Sequence, residues 1–419
     1  MADQLAVWLY DTRVALVDQL RGRLRLSYTE DALSRYALGV PLLSLSLPIR
    51  PERYTHGLVR PFLDGLLPEG EPRQIIANEL GLSRDDTYGL IGALGRDCAG
   101  ALVIQPADDA APPKATTLTA TPLNGSELEA LIANLRRAPL GIGGPVRISL
   151  AGVQEKLVLT RMPDGVWGRP VAGTPSTHIL KPEIDRFPQT VENEFFCMRF
   201  ARELGIRVPD VEMMSIGRRR VIAVQRYDRI VLKDGSVERI HQEDFCQATG
   251  IPPEKKYEED GGPSLRRIAE LLQSAAAADS LDEFLRAVVL NILVGNGDAH
   301  AKNYSLLHES AGTLRLAPIY DVLSTLTYGD NHLAAYVDNV RRTDQVTGDR
   351  LINEAAGWGI SERRAKEIVR DLLDRAPAAS AAARTQTPGL PTTIPTVVDA
   401  QLTRLRTGLT APAPVTAGS

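Results

Sequence analysis

Apolar and polar residues alternate through residues 6–10, 14–20 and 23–28, the period-two signature of strands with one buried face. Their spacing predicts a small antiparallel meander. Helical periodicity follows at 58–67, 72–80 and 86–94, then a short strand at 101–105, so the pattern predicts a compact α+β subdomain over residues 1–106. The stretch PADDAAPPKATTLTATPL (106–123) has little to bury. It predicts a surface linker, and with a helix at 126–137 it makes residues 107–139 a connecting segment. From residue 146 the pattern becomes strand, turn, strand. Further strands at 177–181, 211–216 and 221–226, with an amphipathic helix over 191–204, predict a β-rich lobe spanning 140–245. Helices dominate from residue 265, including an apolar one at 282–294, and predict a helical lobe over 246–419. Its tail, rich in Ala, Pro and Thr from residue 376, is expected to be mobile beyond residue 407.

The chain has 419 residues, 43% of them hydrophobic and 24% charged, which is enough to bury several cores. A formal net charge of −4 excludes a general polycation whose default partner is nucleic acid. Cys98, Cys197 and Cys246 are odd in number and widely spaced, which fits neither a disulfide framework nor a zinc site. The N-terminus lacks a basic start followed by an apolar stretch, and no uncharged apolar run reaches the roughly 18 residues of a membrane span. A cytoplasmic location without membrane association is therefore expected.

The densest chemistry lies in GNGDAHAKNYSLL (295–307), after an apolar helix and before a strand. Phosphoryl transfer needs a carboxylate that accepts the attacking hydroxyl's proton and an amide oxygen that shares a magnesium ion. Asp298 and Asn303 stand five positions apart, the offset found in the catalytic loop of protein kinases. Between them, Lys302 would neutralise a γ-phosphate and His300 would brace the loop; the same residue types also suit a plain polar turn. The following segment, 304–324, predicts a hairpin ending in Asp321. Asp298, Asn303 and Asp321 would then offer hard oxygen ligands suited to Mg²⁺, while His300, His308 and His332 form no close zinc-type pair. Asp321 equally suits a helix N-cap. Lys181 ends the strand in THILKPE, and Glu194 on the helix TVENEFFCMRFARELG would orient it. Gly152 in SLAGVQEK would let backbone approach phosphates. Neither GxGxxG nor GxxxxGK[ST] occurs, which counts against Rossmann and P-loop readings. In AVQRYDR (223–229), backbone at Gln225 and Tyr227 would meet an adenine edge, or simply end a strand.

Taken in order, RISLAGVQEK (147–156), HILKP (178–182), VENE (191–194), AVQRYDR, QEDFCQATG (242–250), KYEEDGGPS (256–264), GNGDAHAKN (295–303) and PIYDVLS (318–324) resemble the HipA family, over about residues 140–330. The resemblance implies an α+β, protein-kinase-like two-lobed fold with an N-terminal α+β subdomain and a mainly helical C-terminal lobe. It implies a serine/threonine-protein kinase toxin using ATP and Mg²⁺, with Asp298 as catalytic base and Asn303 and Asp321 as metal ligands. Lys181 would contact the ATP phosphates, supported by Glu194. Ala151, Gly152, Val153, Gln154, Glu155 and Lys156 would form the phosphate loop; Gln225, Arg226 and Tyr227 the adenine hinge; and His300, Ala301, Lys302 and Tyr320 further walls of the nucleotide site. Inhibitory autophosphorylation would fall on Ser149, because a phosphate dianion beside the ATP phosphates is repelled and drives the loop outward.

Implied partners are a HipB-like helix-turn-helix antitoxin, operator DNA mainly through that antitoxin, and a protein substrate such as an aminoacyl-tRNA synthetase, for example glutamate–tRNA ligase. The basic helix ISERRAKEIVRDLL (360–373) suits either DNA phosphates or a solvated face. Gln225 stands where family members often carry Glu, and the C-terminal tail matches no family feature. A small-molecule phosphotransferase would use the same Asp, Asn and Asp, with KYEEDGG (256–262) lining an acceptor pocket. A non-catalytic co-repressor scaffold would dispense with Asp298, Asn303, Asp321 or Lys181, and all four are present.

Overall fold

The computed structural model describes residues 3–112, 118–141, 149–152, 154–171, 173–309 and 313–409. Its N-terminal meander forms from Gln4–Leu9, Thr12–Leu20 and Arg23–Tyr28, and Leu102–Pro106 closes antiparallel on the free edge of the first strand. Register pairs Val7 with Ala15 on one side and with Ile104 on the other. Leu5, Val7, Val17, Leu26 and Ile104 pack against Phe62, Leu63 and Ile91 of the helices His56–Asp64 and Thr87–Leu94. Each such burial contributes about 1.5–3 kcal/mol. Leu150 and Val158 join the same core, so this subdomain is packed directly onto the segment that precedes and begins the next lobe.

That lobe is a six-stranded antiparallel sheet in the spatial order Ala120–Pro122, Trp167–Pro170, Leu157–Arg161, His178–Pro182, Arg219–Gln225, Val211–Ile216. The first strand lies inside the segment expected to be a linker. The helix Gly125–Ala133 behind it buries Leu128 and Ile132 against Leu159, Leu180 and Val221. Residues 120–135 therefore build the β-rich lobe rather than approach it; their small residues hide a strand whose stability comes from pairing with Trp167–Pro170.

The helix Thr190–Glu203 joins the two lobes. Val191 and Phe195 face Ile222 and Val224 of the sheet, while Phe196 and Phe200 enter the core of the helical lobe. That lobe is built on Leu265–Ala275, Ser280–Leu293, Gly348–Gly357, Glu362–Thr385 and Thr393–Leu405, with the expected hairpin Ser305–His308 and Leu314–Leu316 paired beside His241–Asp244. The Ala/Pro/Thr-rich tail is mostly ordered helix, contrary to its composition. Pro377 sits inside Glu362–Thr385, where it removes the bond to the carbonyl of Leu373. Arg406 Nη2 donates to that carbonyl at 3.1 Å instead, and Ile394, Val398 and Leu405 are buried. Residues 410–419, most of the stretch expected to be mobile, lie outside the described residues. Cys98, Cys197 and Cys246 are all free and buried. Among the described residues no helix is long and apolar enough to cross a membrane.

Candidate active site

Lys181 projects from the strand His178–Pro182 into the space between lobes. Its Nζ donates to Glu194 Oε1 at 2.8 Å and to Asp321 Oδ1 at 2.7 Å. Burial opposes the charge on Lys181, but the two carboxylates outweigh it and hold the ammonium well above its ordinary value. Asp321, in turn, is held well below the carboxylate range: burial works against it, and the charges of Lys181 and Lys156 prevail. About two fifths of the Asp321 side chain faces the cleft, so water tempers that effect. Asp321 adopts φ +60, a left-handed conformation unusual for aspartate and of a kind that clusters at functional sites. Asn303 Nδ2 donates to its other oxygen at 3.1 Å. Four residues separated by up to 140 positions thus converge: Lys181, Glu194, Asn303 and Asp321.

Asp298 stands on the loop after Ser280–Leu293. The loop is held by Gly297 N–H donating to Thr325 Oγ1 at 2.7 Å and Asp298 N–H donating to Asn296 Oδ1 at 3.1 Å. A Cβ at Gly297 would lie 2.2 Å from the His332 carbonyl, so no other residue fits there. Asp298 Oδ1 accepts a bond from Tyr257 Oη at 2.8 Å. Surrounding protein pushes its carboxyl up to about 6, partly offset by Tyr257 and reinforced by the charge of Asp321. The side chain is exposed within the cleft, and contact with water moderates the shift. His300 N–H donates to Asn303 Oδ1 at 3.1 Å within the loop, while Tyr257 packs edge-on against the His300 ring at 5.3 Å. Ala301 is buried, and its N–H donates to the Lys256 carbonyl at 3.4 Å.

Lys302 takes a different partner from the γ-phosphate that sequence suggested. Its Nζ, almost fully buried, donates to Asp244 Oδ2 at 2.7 Å and to the Gly65 carbonyl at 3.3 Å, with Glu69 at 3.7 Å. It fastens the 295–303 loop to the N-terminal subdomain. Tyr320 Oη donates to the Lys302 carbonyl at 2.7 Å, and its ring stacks on Tyr227 with centroids 5.7 Å apart.

The proposed phosphate loop is braced by the same subdomain. Ser149 is fully buried: its hydroxyl donates to the Leu66 carbonyl at 2.7 Å and its N–H to the Asp97 carbonyl at 3.1 Å. Gly152 accepts from Glu69 N–H at 3.2 Å. With φ +113 and a would-be Cβ 2.5 Å from Lys156 Nζ, this position requires glycine. Lys156 Nζ reaches back to the Ala151 carbonyl, and Glu155 pairs with Arg136 at 3.2 Å on the surface. Gln154 is half-buried in the same loop, and Val153 lies outside the described residues.

At the strand end, Gln225 N–H donates to the Asp210 carbonyl at 2.9 Å and Arg226 N–H to Thr177 at 2.8 Å, whereas Tyr227 N–H meets no partner among the described residues. The Arg226 side chain turns away from the cleft. It joins Asp228 (2.8 Å), Ser176 (2.8 Å) and the Cys98 carbonyl (2.8 Å) in a buried network with Asp97, Arg229 and Arg239. Burial would raise the Asp97 carboxyl, but three guanidinium groups hold it well below the carboxylate range. Sequence reasoning missed Asp97 and Glu69, and met Asp244 and Tyr257 only inside the motifs QEDFCQATG and KYEEDGGPS; the roles of all four arise from contacts distant in the chain. On the basic helix, Arg363 and Arg364 pair with Glu367 and Asp282, as expected for a solvated face.

A β-rich lobe carrying Lys181 above a helical lobe carrying Asp298, Asn303 and Asp321 is the layout of a kinase-like α+β fold. Two family models match the sequence, the HipA N-terminal domain over residues 5–105 and the HipA-like C-terminal domain over residues 148–380. The chain belongs to the HipA family. It is 45% identical over 294 residues to Y4mE of Sinorhizobium fredii, covering 69% of each chain. It is 32% identical over 328 residues to the serine/threonine-protein kinase toxin HipA of Shewanella oneidensis, covering 73% of this chain and 72% of that one. The structure superposes on Shewanella oneidensis HipA, solved with HipB and its operator DNA, with TM-score 0.81 at 28% identity over 96% of this chain and 95% of that one.

Proposed function

We propose that this chain is an ATP-dependent serine/threonine-protein kinase toxin that transfers the γ-phosphate to a protein hydroxyl, an aminoacyl-tRNA synthetase such as glutamate–tRNA ligase being the substrate class in view. The observation that carries this reading is the convergence of Lys181, Glu194, Asn303 and Asp321 beside an exposed Asp298. The donor set fits magnesium: Asp321 is an ionised carboxylate, and Asn303 Oδ1 accepts one bond from His300 and keeps a second lone pair. Bound Mg²⁺ would supply charge neutralisation across the phosphate oxygens. Lys181 would bind phosphate oxygens with its ammonium, oriented by Glu194. Asp298 would take the proton of the attacking hydroxyl, and the free Tyr227 N–H would receive an adenine edge.

Autophosphorylation at Ser149 is part of the same proposal. Its hydroxyl is spent on Leu66 in a site with no room for a dianion, so a phosphorylated loop could not return to this position. The superposition on a HipA solved with HipB and operator DNA supports a HipB-like antitoxin as partner, with co-repression at an operator. Titration calorimetry with MgATP tests the nucleotide half: the wild type should bind, and Lys181→Met should weaken binding by at least tenfold. Equal affinity in the two proteins would remove Lys181 from the site.

A further inference from the structure

A general base must lie within hydrogen-bond reach of the hydroxyl it deprotonates, about 2.6–3.2 Å. In this structure the position on Asp298 Oδ1 is already filled by Tyr257 Oη at 2.8 Å. Nothing about the tyrosine is casual. Its ring packs edge-on against His300, and its carbonyl accepts from Gly262 N–H at 2.9 Å. The next residue, Glu258, accepts from Tyr336 N–H at 2.7 Å, and the preceding Lys256 pairs with Glu69 at 3.2 Å. Glu69 is the residue whose N–H holds the Gly152 carbonyl, so the segment is tied to the phosphate loop as well as to the catalytic loop.

We propose that the Tyr257 hydroxyl stands in for the acceptor, closing Asp298 until a substrate hydroxyl displaces it. This rests on the kinase reading above. Tyr257 is then a selectivity residue: an acceptor must compete with a tethered phenol for the same carboxylate oxygen, and water, the smallest and least anchored hydroxyl, competes worst. In the water reaction, a water oxygen bonds to the γ-phosphorus, its proton passes to the Asp298 carboxylate, and the bond to the ADP oxygen breaks to release ADP and phosphate.

Tyr257→Phe keeps the ring and removes only the competing hydroxyl. The test measures phosphate release from MgATP, without protein acceptor, by full-length wild type and Tyr257→Phe, together with MgATP affinity by calorimetry. The variant should release phosphate faster, on the order of tenfold, the worth of one hydrogen bond to a charged group. Its affinity for MgATP should be unchanged, because the hydroxyl faces Asp298 and not Lys181. A merely structural role would leave turnover unchanged or lower it, and either result overturns the proposal. Failure of the wild type to bind MgATP overturns the kinase reading itself, which separates the two.

Discussion

Asp97→Asn removes one of two carboxylates, Asp97 and Asp228, that face the guanidinium groups of Arg226, Arg229 and Arg239 in a buried cluster. The network already holds three cations against two anions, and the substitution leaves three against one. Asp97 also accepts from Ser176 N–H at 3.0 Å, so the amide cannot reproduce the full set of bonds. Removing one partner of a buried ion pair costs about 3–5 kcal/mol, a large part of a typical stability of about 5–15 kcal/mol. Urea unfolding followed by tryptophan fluorescence measures it, since Trp8, Trp167 and Trp358 lie in the N-terminal subdomain, the β-rich lobe and the helical lobe respectively. The acid side gives a second reading. The folded-state value of Asp97 lies below its unfolded value of about 4, so its contribution is present above that pH and lost as pH falls further. Wild-type stability should therefore drop more steeply than that of Asp97→Asn below about pH 4. A loss under about 1 kcal/mol on substitution would contradict a buried, charge-paired role for Asp97, since that is the scale of an exposed pair.

Gly152→Ala should weaken MgATP binding about tenfold, because φ +113 strains any side chain by about 1–3 kcal/mol; calorimetry reads the change, and unaltered affinity would detach this loop from the phosphates. Transfer should require ionised Asp298, so its pH profile should fall on the acid side, with a midpoint between the ordinary carboxylate value and about 6. A profile flat from pH 4 to 8 would contradict a carboxylate base.

Strand and helix periodicity made the N-terminal sheet, the Lys181 strand and the Glu194 helix legible, because each is local and buries one face. The Asp298 to Asn303 loop and the hairpin before Asp321 were legible for the same reason: their spacing lies within a single segment. The helix Gly125–Ala133 was legible too, but the strand before it was not, since Ala120–Pro122 is a strand only through its partner Trp167–Pro170. Pro377 inside Glu362–Thr385 runs against local propensity, and the Leu373 carbonyl it leaves is served by Arg406, 29 positions on from the proline. Lys302 looked like a phosphate ligand by position, yet its partner Asp244 comes from another element altogether. Arg226 lies at the expected strand end, but its side chain serves the Asp97 cluster, a set of residues from 97 to 239 that no local pattern connects.

Transfer of labelled phosphate from MgATP by the wild type and by Asp298→Ala, with modified residues mapped by mass spectrometry, tests the proposed active site most directly. The wild type should incorporate label at Ser149, and Asp298→Ala should incorporate none while still binding MgATP. Equal incorporation by both proteins would contradict Asp298 as the base and the active site built around it.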